Sequence, residues 1–239
     1  MKHSSHKIAW LSFLLTLVLL GVAQAARAAD PYTLEKAAIA APEEVPATVR
    51  ATLSGEALRV TGPKGPMCEI WLRKAIPAAA APVQGLGVGY GQITSGALVG
   101  VVRILLPISD YRQQRVKPGV YTLRYELHPV NGDHMGISPL RDFLLLAPAA
   151  LDTDPAEITF DEAVARSKKT IGANHPSAWS LQSADGAAGE PPSMFHTDDP
   201  DLWLIHLRVP LASAGSVTCV ISSPGCRTFS RLGVDPGTK

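Results

Sequence analysis

VKPGVYTLRYELHPVNGDH, Val116 to His134, alternates apolar and polar side chains more cleanly than any other part of the chain. Tyr121, Leu123, Tyr125 and Leu127 fall on one side; Thr122, Arg124, Glu126 and His128 fall on the other. Successive side chains of a strand point to opposite faces, so the pattern predicts a strand with one face buried and the other meeting water or a ligand. Pro118-Gly119 opens the run, and Pro129 with Asn131-Gly132 closes it with turn chemistry.

Working outward, the flanking segments have the same character. Ala97 to Leu106 is nearly continuously apolar with Arg103 as its one charge, as expected of a central strand covered on both faces, its Arg paired across the sheet or at a strand end. Leu140 to Leu146 is expected to pair antiparallel with residues 119–128, across a connection at 129–139 that is longer than a hairpin needs. Further short strands are expected at Val49 to Leu53, Glu56 to Thr61, Met67 to Lys74, Ala178 to Gln182, Leu202 to Val209 and Ser216 to Ile221. One helix is predicted at Phe160 to Ile171: Thr159 and Glu162 form a capping box, Lys168 and Lys169 lie in the last turn, and Gly172 follows. Many short strands, one helix, 20 Pro and 20 Gly in 239 residues predict a mainly β protein, an antiparallel β-sandwich with one short helix.

The ends predict a compartment. Lys2 and Lys7 precede an apolar run from Ile8 to Val22, followed by two Ala-x-Ala arrangements at residues 23–28, the order of a secretory signal peptide. The expected organisation is a signal at 1–28, a flexible lead-in at 29–47, one β domain at 48–230 and a flexible tail at 231–239. Cleavage would remove Lys2, Lys7 and Arg27, leaving 19 basic residues against 21 acidic. That balance, with no Lys/Arg-rich run, predicts neither nucleic acid as partner nor a membrane span after cleavage, and an exported location, periplasmic or extracellular. In an exported chain three cysteines form at most one pair. Cys219 and Cys226 bracket a Ser-Ser-Pro-Gly turn and are the favoured disulfide; the alternative is three thiols, with Cys68 a small core residue.

Chemistry-bearing motifs are few. Gly85 to Gly91, GLGVGYG, lacks the Lys-Ser/Thr of a phosphate loop and reads as a turn or bulge. No Gly-x-Ser-x-Gly or His-Glu-x-x-His occurs, so no catalytic residue is named. The carboxylates Asp152 and Asp154, and Asp198 to Asp201, lack the alternation of a calcium loop. Five histidines lie beyond the signal, and His128, His134, His175 and His196 sit at strand ends or in turn-rich segments. Imidazole and carboxylate donors suit Zn, Cu, Fe or Ni, and Met135 would add a soft ligand, so a divalent transition metal on His128, His134 and His175 or His196 is the alternative reading. The first reading is a ligand site at the 129–139 loop, with His128, Asp133 and His134 polar and Tyr125 or Trp179 aromatic, on a non-catalytic protein. Asp133 also suits a turn cap after Asn131-Gly132.

Lys117 to Tyr125, KPGVYTLRY, resembles the Pro-Gly-x-Tyr-x-Leu strand of prealbumin-like and carboxypeptidase-regulatory-like β-sandwich modules. The resemblance implies a non-catalytic part of an exported protein. More broadly, ALVGVVRI at 97–104, the run from Asp110 to Leu146 and Asn174-His-Pro are similar to a group of uncharacterised exported bacterial proteins over residues 50–182. Those resemblances transfer no functional residue; the partner expected at the 129–139 loop is an unknown envelope protein or polysaccharide.

Overall fold

Alternating side chains and frequent turn residues give the chain twelve short strands among the residues that the structure, a computed structural model, describes: 31–130, 138–199, 201–212 and 215–222. In order they are β1 (Thr33–Ala37), helix α1 (Ala47–Arg50), β2 (Ala57–Gly62), β3 (Gly65–Leu72), β4 (Leu98–Ile104), β5 (Ile108–Ser109) and β6 (Arg115–Val116). Then follow β7 (Gly119–Leu127), β8 (Asp142–Pro148), α2 (Phe160–Ile171), β9 (Ser177–Gln182), β10 (Ser193–Asp198), β11 (Asp201–Pro210) and β12 (Ser216–Ser222). Ten of the strands form one sheet in the order β1-β2-β3-β4-β7-β8-β9-β12-β11-β10, every neighbour antiparallel. The protein is therefore mainly β, and α2 is its one helix of substantial length among the described residues.

The sheet curls so that its two ends approach. Leu58, Val60, Cys68 and Ile70 near one end share a core with Ile205, Leu207, Val209 and Cys219 near the other. The outer face is covered as well. Val45, Val49 and Leu53 lie over Trp71, Leu98 and Val101; α2 lies over Phe143, Leu145 and Ala178; Tyr111, Ala184 and Ala187 lie over Leu202, Leu204 and Val220. Burial on both faces explains why strands such as Leu98–Ile104 read as continuous apolar runs.

β7 pairs with β8 from Tyr121↔Pro148 to Leu127↔Asp142, as the sequence predicts. Its polar side, however, meets protein and not water: Thr122, Arg124 and Glu126 are at most 1% exposed. The chain after β8 supplies partners for Thr122 and Arg124, and Gly96 lets that segment approach, since a Cβ there would lie 1.9 Å from the Ile158 carbonyl oxygen. The helix forms where its caps predict. The Glu162 amide donates to Thr159 Oγ1, the Thr159 amide donates to Glu162, and Gly172 closes the last turn at φ 71°. Ser167 and Thr170 then tie α2 to the sheet by donating to the carbonyls of Ser177 and Leu146.

Three expectations change. Val49 to Leu53 is not a strand: Val45, Val49 and Leu53 recur at every fourth residue and bury one side of α1 and its flanks. Residues 33–37, within the expected flexible lead-in, form β1 against β2. The stretch between the strands expected at 178–182 and 202–209, where none was expected, contains β10, paired with β11. Residues 1–28 and the tail at 231–239 lie outside the described residues. No described helix is long and apolar enough to cross a membrane.

Candidate functional site

β1, β3, β7, β9 and β11 all run in one direction, so their C-terminal ends mark one end of the sheet. The expected 129–139 loop leaves from that end. His128 stacks on Phe143, ring centroids 4.1 Å apart, and Arg141 donates two hydrogen bonds to the His128 carbonyl. Asp133, His134 and Met135 lie outside the described residues. Tyr125 points into the core: its hydroxyl, fully buried, donates to Asp142 Oδ1 at 2.6 Å, and burial followed by that carboxylate pushes its pKa up. The same carboxylate accepts from the Gly89 and Tyr90 amides at 2.8 and 2.9 Å, so the glycine-rich turn cradles an anion that belongs to the protein. Trp179 is buried in the core and offers no surface to a ligand.

The other histidines are far apart. His175 precedes β9 and is exposed at the opposite end of the sheet from His128. Through the pairings Ser177↔Leu146 and Leu146↔Leu123, it lies about seven residues of strand from His128, roughly 23 Å at about 3.3 Å per residue. That corrects any site using both, because a shared ion holds its ligands within about 2 Å of itself. His196 lies on β10, five strands along the sheet from β7. It has its own carboxylates, with Nε2 2.7 Å from Asp201 and Nδ1 3.5 Å from Asp198, and its ring is 5.3 Å from Trp203. Among the described residues no three His, Cys, Asp or Glu side chains gather as a metal set.

Cys219 is buried on β12, where burial and then Asp142 push its thiol pKa up to about 12. Cys226 lies outside the described residues, and the expected pairing with it.

The strongest polar cluster is internal. Arg124 donates to both oxygens of Asp152, Nε to Oδ2 at 2.9 Å and Nη2 to Oδ1 at 2.7 Å, and Thr122 and Arg166 donate to the same carboxylate at 2.6 Å. Burial alone would raise the Asp152 pKa; the guanidiniums and the hydroxyl outweigh it and hold the carboxyl below its ordinary value. Arg124 also donates to the carbonyls of Gly96, Asp154 and Ala156. Every partner is a protein group, so this cluster fastens the 149–158 segment over β7. Beside it Glu126 accepts from Ser95, and burial raises its pKa.

Among the described residues, the seam where the sheet's two ends approach has room for a ligand. Near the start of β1 the seam is filled, Tyr32 and Trp203 packing at 5.2 Å. Farther along, a cavity of about 670 Å³ opens between the ends of β1 and β3, the start of β2, and the facing β11 and β12. Half-buried Leu72 lines it, above Leu58, Ile70 and Leu207, which are themselves buried in the inner core. Its rim holds Lys36, Arg73, Lys74 and Arg208 against a single acid, Glu56. Arg73 and Lys74 are anchored by donating to the Pro155 and Ala51 carbonyls, whereas Lys36 and Arg208 are exposed on opposite walls. The sequence gives no local signal for this site, because its lining comes from six separated segments. Geometry of this kind is what small-molecule sites share: hundreds of cubic ångströms, apolar walls and a few polar groups at the mouth. Compared with known proteins, the chain matches no family model, no curated protein and no solved structure.

Proposed function

We propose that this chain is an exported, non-catalytic binding protein of the bacterial envelope that holds a small molecule in the seam cavity. The observation that carries the reading is the cavity itself, about 670 Å³, reaching the core through a gap that the ten-stranded sheet leaves between β1 and β10. An edge left open exposes backbone groups and apolar side chains to water, a cost that closing the sheet would remove. A ligand that covers half-buried Leu72 and the mouth around it offsets that cost. Export through residues 1–28 belongs to the same proposal, as does the 129–139 loop as a neighbouring surface at the same end of the sheet.

The test is titration of the mature protein with N-phenyl-1-naphthylamine, an uncharged apolar fluorophore that brightens when shielded from water. One equivalent should bind, and Leu72→Trp, which fills the cavity from the half-buried end of β3, should abolish binding with little change in melting temperature. Saturable binding that Leu72→Trp leaves intact would move the site elsewhere, and no binding would remove it.

A further inference from the structure

We infer that the turn at residues 85–88, with Val83 before it and Val130 on the neighbouring loop, is a docking tip that seats its apolar side chains in the interface of a zwitterionic lipid bilayer. Leu86 is 92% exposed, Val130 76% and Val83 45%, three of the four large apolar side chains that the described residues leave in water. Arg141 brings the two loops together. Its amide donates to the Gly87 carbonyl at 2.6 Å, and its carbonyl accepts from the His128 amide at 2.9 Å. Gly87 and His128 therefore stand on either side of Arg141, two strand spacings or about 10 Å apart. Leu86 adjoins the first and Val130 lies two residues beyond the second. Looseness does not explain the exposure. The Val88 amide donates to the Gly85 carbonyl at 3.2 Å, which makes Leu86 the leading corner of a β-turn whose next residue, Gly87, takes φ 72°. Across the neck of the loop the Val83 amide donates to the Gly91 carbonyl at 2.9 Å, and the Gly89 and Tyr90 amides are fixed on Asp142. The fold thus holds a leucine in water on a pinned turn, at a standing cost that covering it removes.

Charge and area decide what covers it. Residues 75–102 contain no Asp, Glu, Lys, Arg or His, in a chain with 22 basic and 21 acidic residues. Within that stretch residues 80–86, AAPVQGL, are exposed throughout, and Gln84 is their one polar side chain. Arg141, between the two loops, keeps its guanidinium on the His128 carbonyl. A protein partner would meet a polar rim around an apolar centre, and three side chains fall far short of the ~800 Å² that each side gives to a standard protein interface. A bilayer asks for neither. A charge-free turn enters the headgroup layer without stripping water from an ion, and its binding grows with the apolar surface it buries there, with no matching shape required. The 19 basic and 21 acidic residues beyond residue 28 supply no attraction to anionic headgroups, which leaves a zwitterionic surface as the one that fits.

Tryptophan fluorescence of the mature protein tests the inference, because Trp71, Trp179 and Trp203 are buried and leave an introduced indole to report its own surroundings. Leu86→Trp is mixed with phosphatidylcholine vesicles, plain or brominated on the acyl chains. Its emission should move to shorter wavelength on the plain vesicles and be quenched on the brominated ones. Leu151→Trp is the control, at a position 52% exposed and beyond the end of β8, at the opposite end of the sheet, and it should show neither change. Adding Val130→Ala to Leu86→Trp should weaken vesicle binding by roughly an order of magnitude, two carbons at about fourfold each. Absence of both shift and quenching in Leu86→Trp overturns the inference, and so does equal quenching of Leu151→Trp, which would mean adsorption without orientation. Binding confined to vesicles that contain phosphatidylglycerol overturns the choice of a zwitterionic surface. A blue shift of Leu86→Trp that grows with protein concentration before lipid is added would give the tip to a second copy of the chain and overturn the inference as well.

Discussion

Asp152 is fully buried and accepts from two guanidiniums and one hydroxyl, so it carries a charge the interior tolerates only because its partners are in place. Removing one member of such a buried pair costs about 3–5 kcal/mol, because the survivor keeps its desolvation penalty. Asp152→Ala should therefore lower stability by about that amount in urea unfolding, leaving Arg124 charged and unmatched. Because the folded pKa of Asp152 lies below the ordinary 3.8, its contribution is present above that value and disappears as pH falls through the folded pKa. Glu126 works in the opposite direction. Burial raises its pKa above 4.5, so the folded state holds its proton more tightly, and stability drops as pH rises through that window until the penalty is complete. Glu126→Gln keeps an oxygen for Ser95 and removes the charge; it should raise the melting temperature at pH 7 and leave it nearly unchanged at pH 4. An equal effect at both pH values would show that Glu126 does not titrate as its burial requires.

At the scale of elements, the helix and the segment before it carry separable tests. Thr159→Ala removes the cap that accepts from Glu162 and should cost about 1 kcal/mol in urea unfolding. Gly96→Ala should cost more, because its Cβ would meet the Ile158 carbonyl oxygen at 1.9 Å on a backbone at φ 77°. If both behave alike, the covering segment is not pressed on β7 as described. What was legible in the sequence follows the same physics. α2 was readable because its caps are local, and β7 and β8 because alternation and a Pro-Gly start are local. β1 and β10 were not, since TLEKA and SMFHTD are short, half-exposed edge segments held by pairing more than by an apolar period. Val49 to Leu53 was readable both ways, and only the spacing back to Val45 favours helix. Alternation on β7 announced two faces without saying what covers the polar one; Asp152, which does, lies beyond β8.

For the whole molecule, the site was the least legible part. His128, Tyr125 and Trp179 attract notice as chemistry-bearing residues, yet the first stacks on Phe143, the second is satisfied by Asp142 and the third is sealed in the core. Leu58, Ile70, Leu72 and Leu207 are unremarkable in sequence, and come to line a cavity only when the sheet curls and brings β2 and β3 opposite β11. The proposed function stands on where a ligand goes, and methyl NMR of the mature protein titrated with N-phenyl-1-naphthylamine reads that location directly. The account predicts saturable shifts in the methyl groups of Leu58, Ile70, Leu72 and Leu207, with Leu145 and Ala163 under the helix unchanged. Shifts confined to the neighbourhood of His128 and Val130, or none up to saturating fluorophore, would contradict it.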